Sequence, residues 1–224
     1  MSLITGRRVL VAALLLLYAG FIAWYDADRA VLSEADLAAY FAQIRARAGS
    51  SEGEGHGQER LFEELRRLAA SDDGDEFYML NLIDFRDEAQ YPPGSAYGGS
   101  ALDADARYNR AIVPVLLRHG GHPLFLGTPM GRFLDEPGDH TAWERVALVR
   151  YRSRRDLVEM VVALAGAGIG VHKWASIEKT QVFPVKPVFG LFFVRVPVAL
   201  LLAALGGLLH LLLRRSAWYS AARR

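Results

Sequence analysis

The chain has 224 residues, 52% of them hydrophobic and 23% charged, with no cysteine and a formal net charge of +1. That length suits one ordinary domain with appendages, and its composition excludes a disordered or low-complexity chain. Without cysteine there is no disulfide framework, thiolate zinc site, cysteine-ligated iron–sulfur cluster or cysteine nucleophile.

Residues 1–25 carry Arg7 and Arg8 and no acid, and residues 9–25 (VLVAALLLLYAGFIAWY) carry no charge at all. At about 1.5 Å per residue this run nearly spans a hydrocarbon core of about 30 Å. Trp24 and Tyr25 fit interfacial anchors. The run closes on Trp24-Tyr25-Asp26 rather than on small residues, which favours a retained signal anchor over a cleaved signal peptide.

Residues 26–75 read as a helical stalk or lid. Ser33 caps a helix that carries Leu37, Tyr40, Phe41 and Ile44. The stretch 49–57 (GSSEGEGHG) reads as a flexible linker, with Glu52, Glu54 and His56 as solvated charge rather than metal ligands. Leu61, Phe62, Leu65 and Leu68 mark a second amphipathic helix, stopped by Ser71-Asp72-Asp73-Gly74.

Residues 76–187 form the main domain. A strand over 77–85 (FYMLNLIDF) leads through a loop over 87–102 into a helix over 103–117. That helix carries Tyr108, Ile112, Val115, Leu116 and His119 on one face, and Pro114 predicts a kink. A strand over 123–127, running on towards Phe133, turns through 136–139 into a third strand over 143–151. Ser153 caps the next helix, with Leu157, Met160, Val161 and Leu164 as its apolar face, broken by Gly166, Gly168 and Gly170. A fourth strand covers 174–183 and ends at Pro184.

The second span lies in residues 188–213, with Arg195 at its start, where a long side chain snorkels to headgroups, and His210 one turn from its exit. A basic tail, 214–224, follows, carrying Arg214, Arg215, Trp218 and Tyr219. Residues 188–224 hold five arginines and no acid, which leaves 19 basic against 25 acidic residues, a net of −6, in 26–187. The positive-inside rule then expects a bacterial inner-membrane protein with both termini cytoplasmic and residues 26–187 periplasmic or extracellular. An acidic middle is a poor partner for phosphates, so no nucleic-acid partner is expected.

The order β-α-β-β-α-β predicts an α+β, ferredoxin-like domain with a four-stranded antiparallel sheet and two helices on one face. Strand one sets Met79, Asn81 and Ile83 against Tyr78, Leu80 and Leu82, and strand three sets Val146 and Leu148 against Ala147 and Val149. Apolar residues on both faces imply a sheet covered twice, most economically by a second copy. A homodimer through the sheet is therefore expected.

Four blocks in order carry a resemblance: MLNLIDFRDEAQYPPGS (79–95), RYNRAIVPVLLRHGG (107–121), WERVALVRYRSRRDLVEM (143–160) and HKWASIEKTQVFP (172–184). Over residues 77–184 the chain resembles the bacterial domain of unknown function 1330 family, within the dimeric α/β-barrel superfamily. The resemblance implies a homodimer whose sheets close into a barrel. It transfers no settled activity, although superfamily relatives include cofactor-independent monooxygenases, lactone isomerases and haem-binding or haem-degrading proteins. The chain departs from the usual soluble members by its spans and stalk, and by Ala165-Gly-Ala-Gly-Ile-Gly170 at a helix end that often borders the superfamily's pocket.

Four residues are pocket candidates: Asn81, polar on an apolar strand; Tyr108 and His119 on one helix face; and His172, the best single axial ligand if a haem binds. Each also has a structural reading, as a buried amide's hydrogen bond, a core phenol or a helix-end cap. No cofactor is expected, haem being a minor alternative, and the spacing of His119, His122, His140 and His172 dictates no metal geometry. Ser176-Ile-Glu-Lys179 on a strand would point serine and lysine to opposite faces, and Arg150, Arg152, Arg154 and Arg155 read as solvated surface or an anion site. The expected function is binding of a small apolar ligand or an envelope partner beside the bilayer. The alternatives are a cofactor-independent monooxygenase or isomerase acting on a lipophilic, quinone-like substrate, and haem handling.

Overall fold

The two long apolar runs become α1 (Leu3–Tyr25) and α7 (Arg195–Ala221). They belong to a computed structural model that describes residues 3–26, 30–48, 55–130, 143–189 and 194–221. The chain divides into two units, Met1–Asp26 with Phe189–Arg224, and Ala27–Val188. In the first unit, Gly6–Tyr25 and Arg195–Leu212 are each long and apolar enough to cross a membrane, and only 6% and 0% of these stretches are buried. Core helices of a soluble domain would be mostly covered.

Two contacts fix how these helices run. Arg195, at the start of α7, donates from Nε to Asp26 Oδ1 just past the end of α1 at 2.9 Å, and its guanidinium lies 4.6 Å from the centre of the Tyr25 ring. Nearer the middle, Leu14 Cδ1 comes within 2.6 Å of where a Cβ on Gly206 would stand. A side chain at 206 would displace the end of Leu14, so the glycine lets the two helices sit close there. One contact pairs the end of α1 with the start of α7, and the other pairs earlier with later residues. The helices are therefore antiparallel, and Arg7-Arg8 shares an end with Arg214-Arg215.

The second unit is α+β. Strands β1 (Phe77–Phe85), β2 (His122–Gly127), β3 (Arg145–Tyr151) and β4 (Ile177–Val185) form one sheet in the order β2-β3-β1-β4. All neighbours are antiparallel; β1 meets β3 from Phe77↔Tyr151 to Ile83↔Arg145 and β4 from Tyr78↔Val185 to Phe85↔Ile177. Helix α4 (Ala101–Arg118) joins β1 to β2, and α5 (Arg154–Leu164) with α6 (Gly170–Ser176) joins β3 to β4. Phe77, Met79, Val149 and Tyr151 face the helices and pack with Leu116, Leu157, Val158 and Met160.

Partners in antiparallel register share a face. One row on the opposite face crosses all four strands: Phe125, Leu148, Leu80 and Phe183. Phe125 is 51% and Phe183 41% exposed.

The helices expected as a stalk share the main core instead. From α2 (Glu34–Ala48) come Leu37, Phe41 and Ile44; from α3 (Gly55–Ala70) come Phe62, Leu65 and Ala69; all pack in one cluster with α5. Phe41 and Phe62 stack at 4.3 Å, and Tyr40 donates to Glu159 Oε1 at 2.8 Å. Two apolar stripes of this width are more stable against a third helix than in water. Gly166 lets the chain after α5 pass close to α2: its φ is +74°, and a Cβ there would lie 2.3 Å from the Arg47 carbonyl oxygen.

Several boundaries differ from expectation. Residues 174–176 belong to α6, not to a strand, because the backbone closes a turn and Ser176 Oγ donates to Lys173 O at 2.9 Å. Gly55–Gly57 joins α3 rather than the linker, and α4 starts at Ala101, before the expected 103, because Ser100 caps it. The strand expected to run on towards Phe133 ends at Gly127; residues 131–133, the turn over 136–139, Glu52, Glu54 and His140 lie outside the described residues, as does the side chain of His56.

Candidate functional site

The titratable and aromatic side chains gather where α4, α6 and the loop after β1 meet. Ser100 starts α4 with a reciprocal cap: its Oγ accepts from Asp103 N at 3.1 Å, and Asp103 Oδ2 accepts from Ser100 N at 3.2 Å. The Ser100 hydrogen bonds hold the Asp103 carboxyl below its ordinary range. The preceding loop is tied to the end of α6 by Gln90 N to Ala175 O at 2.9 Å and Arg86 N to Ser176 O at 3.0 Å. These ties bring Tyr91 and Tyr97 against His172.

Tyr91 Oη lies 2.9 Å from His172 Nδ1. Arg107 donates to that same phenol oxygen at 3.2 Å and to Gly98 O at 2.9 Å. A guanidinium cannot accept, so Arg107 leaves the Tyr91 hydroxyl proton free for Nδ1 while it fixes the phenol in place. The Tyr97 ring stands edge-on to His172 at 4.6 Å, and Arg107 covers Tyr97 at 5.9 Å. The result is an oriented imidazole in an aromatic setting, the arrangement a general acid or base needs.

Beside it, Lys173 Nζ lies 6.0 Å from the Tyr108 ring centre and 5.1 Å from that of Trp174. Burial holds the Lys173 amine below its ordinary pKa. Among the described residues no carboxylate pairs with it. Two ring faces offer a cation about 0.5–1 kcal/mol each. Desolvating an ammonium costs several kcal/mol, so the rings alone do not offset it. Burial, and then the charge of Asp105, push the Tyr108 phenol up. Asp105 itself is taken by Arg145, whose guanidinium lies 4.5 Å from the Phe85 ring centre.

The four expected site residues do not converge. Tyr108 lies against Lys173, and His172, the preceding residue of α6, meets Tyr91 and Tyr97 instead. Asn81 faces the helix side, but its Nδ2 is engaged by the sheet, donating to Met79 O at 3.1 Å and Ala147 O at 3.5 Å. His119 is the C-cap of α4, donating from Nδ1 to Val115 O at 2.8 Å, about 16 Å along the helix from Tyr108. Among the described residues no three of His, Asp and Glu gather as a metal site. Sequence reasoning missed Tyr91, Arg107 and Lys173; the signal was an aromatic-rich loop opposite a His-Lys-Trp run, and only the hidden helix α6 sets them face to face.

The arginine cluster is neither solvated nor free. Arg150 is 1% exposed and donates to Glu76 from Nε at 2.8 Å and from Nη2 at 2.6 Å. Arg152 pairs with Asp156, Arg154 with Asp73 at 2.8 Å, and Arg155 with Asp36 at 3.0 Å. Each sits beside a carboxylate from another turn or element, which turns a basic run into internal clamps.

No family model and no curated protein matches this chain. Among solved structures it is similar to RPA0582, a protein of unknown function from Rhodopseudomonas palustris, at 28% identity and a TM-score of 0.50, over 58% of this chain and 94% of that one. The methylated RPA0582 protein is similar at 29% identity and the same TM-score, over 58% of this chain and 91% of that one.

Proposed function

We propose that this chain is a bacterial inner-membrane protein with two spans and cytoplasmic termini. Its ferredoxin-like unit, of the dimeric α/β-barrel kind that the domain of unknown function 1330 resemblance implies, pairs sheet to sheet outside the cytoplasm. There it binds a small ligand with a largely apolar body, or an envelope partner. The observation that carries this reading is the row Phe125–Leu148–Leu80–Phe183, an apolar stripe across every strand on the face without helices. A second copy buries that stripe against its equivalent, and two such sheets enclose a core. The match of 94% of RPA0582 to 58% of this chain supports reading part of this chain as an addition to a unit that makes up nearly all of that one.

The oriented Tyr91–His172 pair favours a second reading, a cofactor-independent oxygenase or isomerase acting on a lipophilic, quinone-like substrate.

Native mass spectrometry of the full chain in mild detergent tests the proposal. The expected species is a dimer that carries a reproducible extra mass. Leu80→Lys with Leu148→Glu should yield monomers that remain folded by circular dichroism. A wild-type monomer across micromolar concentrations would remove the dimer from the reading, and a dimer without added mass would shift it to the envelope partner.

A further inference from the structure

In the Ala27–Val188 unit the buried or partly buried arginines are taken: Arg86 by Glu178, Arg145 by Asp105, Arg150 by Glu76, Arg152, Arg154 and Arg155 by theirs, and Arg107, which meets no carboxylate, by Tyr91 Oη and Gly98 O. Lys173 stands apart. It is partly buried, it meets two aromatic faces and no acid among the described residues, and one of those faces, Trp174, is 61% exposed. A charge held in this way retains unused capacity for an anion, and an exposed indole beside it offers a flat apolar wall.

We infer that Lys173, flanked by Tyr108 and Trp174, is the anchoring cation of a site for a small aromatic carboxylate. The carboxylate takes the ammonium's hydrogen bonds, and the ligand's ring lies against Trp174. This rests on the reading of the unit as ligand-binding and does not depend on dimerisation or on the membrane. It replaces a purely apolar ligand by one with an anionic end.

The test uses the full chain in detergent with two probes of one shape, 2-naphthoate and neutral 2-naphthamide, titrated by calorimetry against empty micelles. Naphthoate should bind about tenfold more tightly than the amide, the worth of one charge-assisted contact. Lys173→Gln should abolish that preference and Lys173→Arg should keep most of it, with folding of both variants checked by circular dichroism. Trp174→Ala should weaken both probes alike. Equal binding of the two probes, or a preference that survives in Lys173→Gln, would overturn the inference and leave the ligand-binding reading standing. Binding of neither probe at millimolar concentration would overturn the inference and remove its support for a ligand-binding unit.

Discussion

At the scale of single residues, carboxylates set how the Ala27–Val188 unit responds to acid. The Lys186 ammonium beside Asp73, helped by Asp75 N–H and Arg154, lowers the Asp73 pKa to about 2 from an ordinary 3.8. Between those values the unfolded chain takes up the proton and the folded chain does not. The contribution of Asp73 is therefore complete above pH 4 and is lost as pH falls through about 2. Asp73 is largely solvated, so the effect is within roughly 1 kcal/mol. Urea midpoints at pH 5 and pH 2.5 should converge more closely in Asp73→Asn than in wild type, because Asp36 and Asp103, also held low, are common to both proteins. An unchanged difference would remove the Asp73–Lys186 contact as its source. The arginine run over 150–155 shows the limit of reading residues alone. The sequence displays its positive charge but not the carboxylates of Glu76, Asp73 and Asp36, which reach it from distant segments.

At the scale of elements, α2 and α3 belong to the fold and not to a stalk, and Phe62 is the residue that proves it. Its side chain is 0% exposed, stacked on Phe41 and covered by Arg45 at 4.6 Å. Phe62→Ala should cost about 3–5 kcal/mol, and it should do so for the sheet as well as for the two helices. Hydrogen exchange would show β1 and β3 amides losing protection together with those of α3. If α2 and α3 opened alone while the strands kept their protection, they would be a separate layer. Strand alternation made β1 and β3 legible, the apolar face made α4 legible, and Ser153 marked the start of α5, whereas the Ser100 cap was hidden in what read as a loop. Periodicity cannot say what an amphipathic face will pack against, which is why α2 and α3 were expected as a stalk. Nor does it separate a seven-residue helix from the start of a strand. In Gly170–Ser176 the β-like run Trp174-Ala-Ser is drawn into α6, and with it the setting of His172 and Lys173.

At the scale of the whole molecule, the apolar helices carry a constraint that sequence rules supply only indirectly. The positive-inside rule places each arginine pair by itself. The antiparallel packing of α1 and α7, fixed by Asp26–Arg195 and Leu14–Gly206, joins the two pairs at one end, so both must lie on the same side of a bilayer if the hairpin crosses it. That separates two questions, hairpin and orientation. A chain without native cysteine lets single reporters answer both. Ser2→Cys, Ser95→Cys and Ser216→Cys should be treated with a membrane-impermeant maleimide, in cells whose outer membrane has been made permeable. With cytoplasmic termini, Ser95→Cys labels in intact cells, whereas Ser2→Cys and Ser216→Cys label only after lysis. The reverse pattern would invert the orientation and keep the hairpin. Unlike behaviour at positions 2 and 216 would break the hairpin itself, because no antiparallel pair of spans can part its two ends across a membrane.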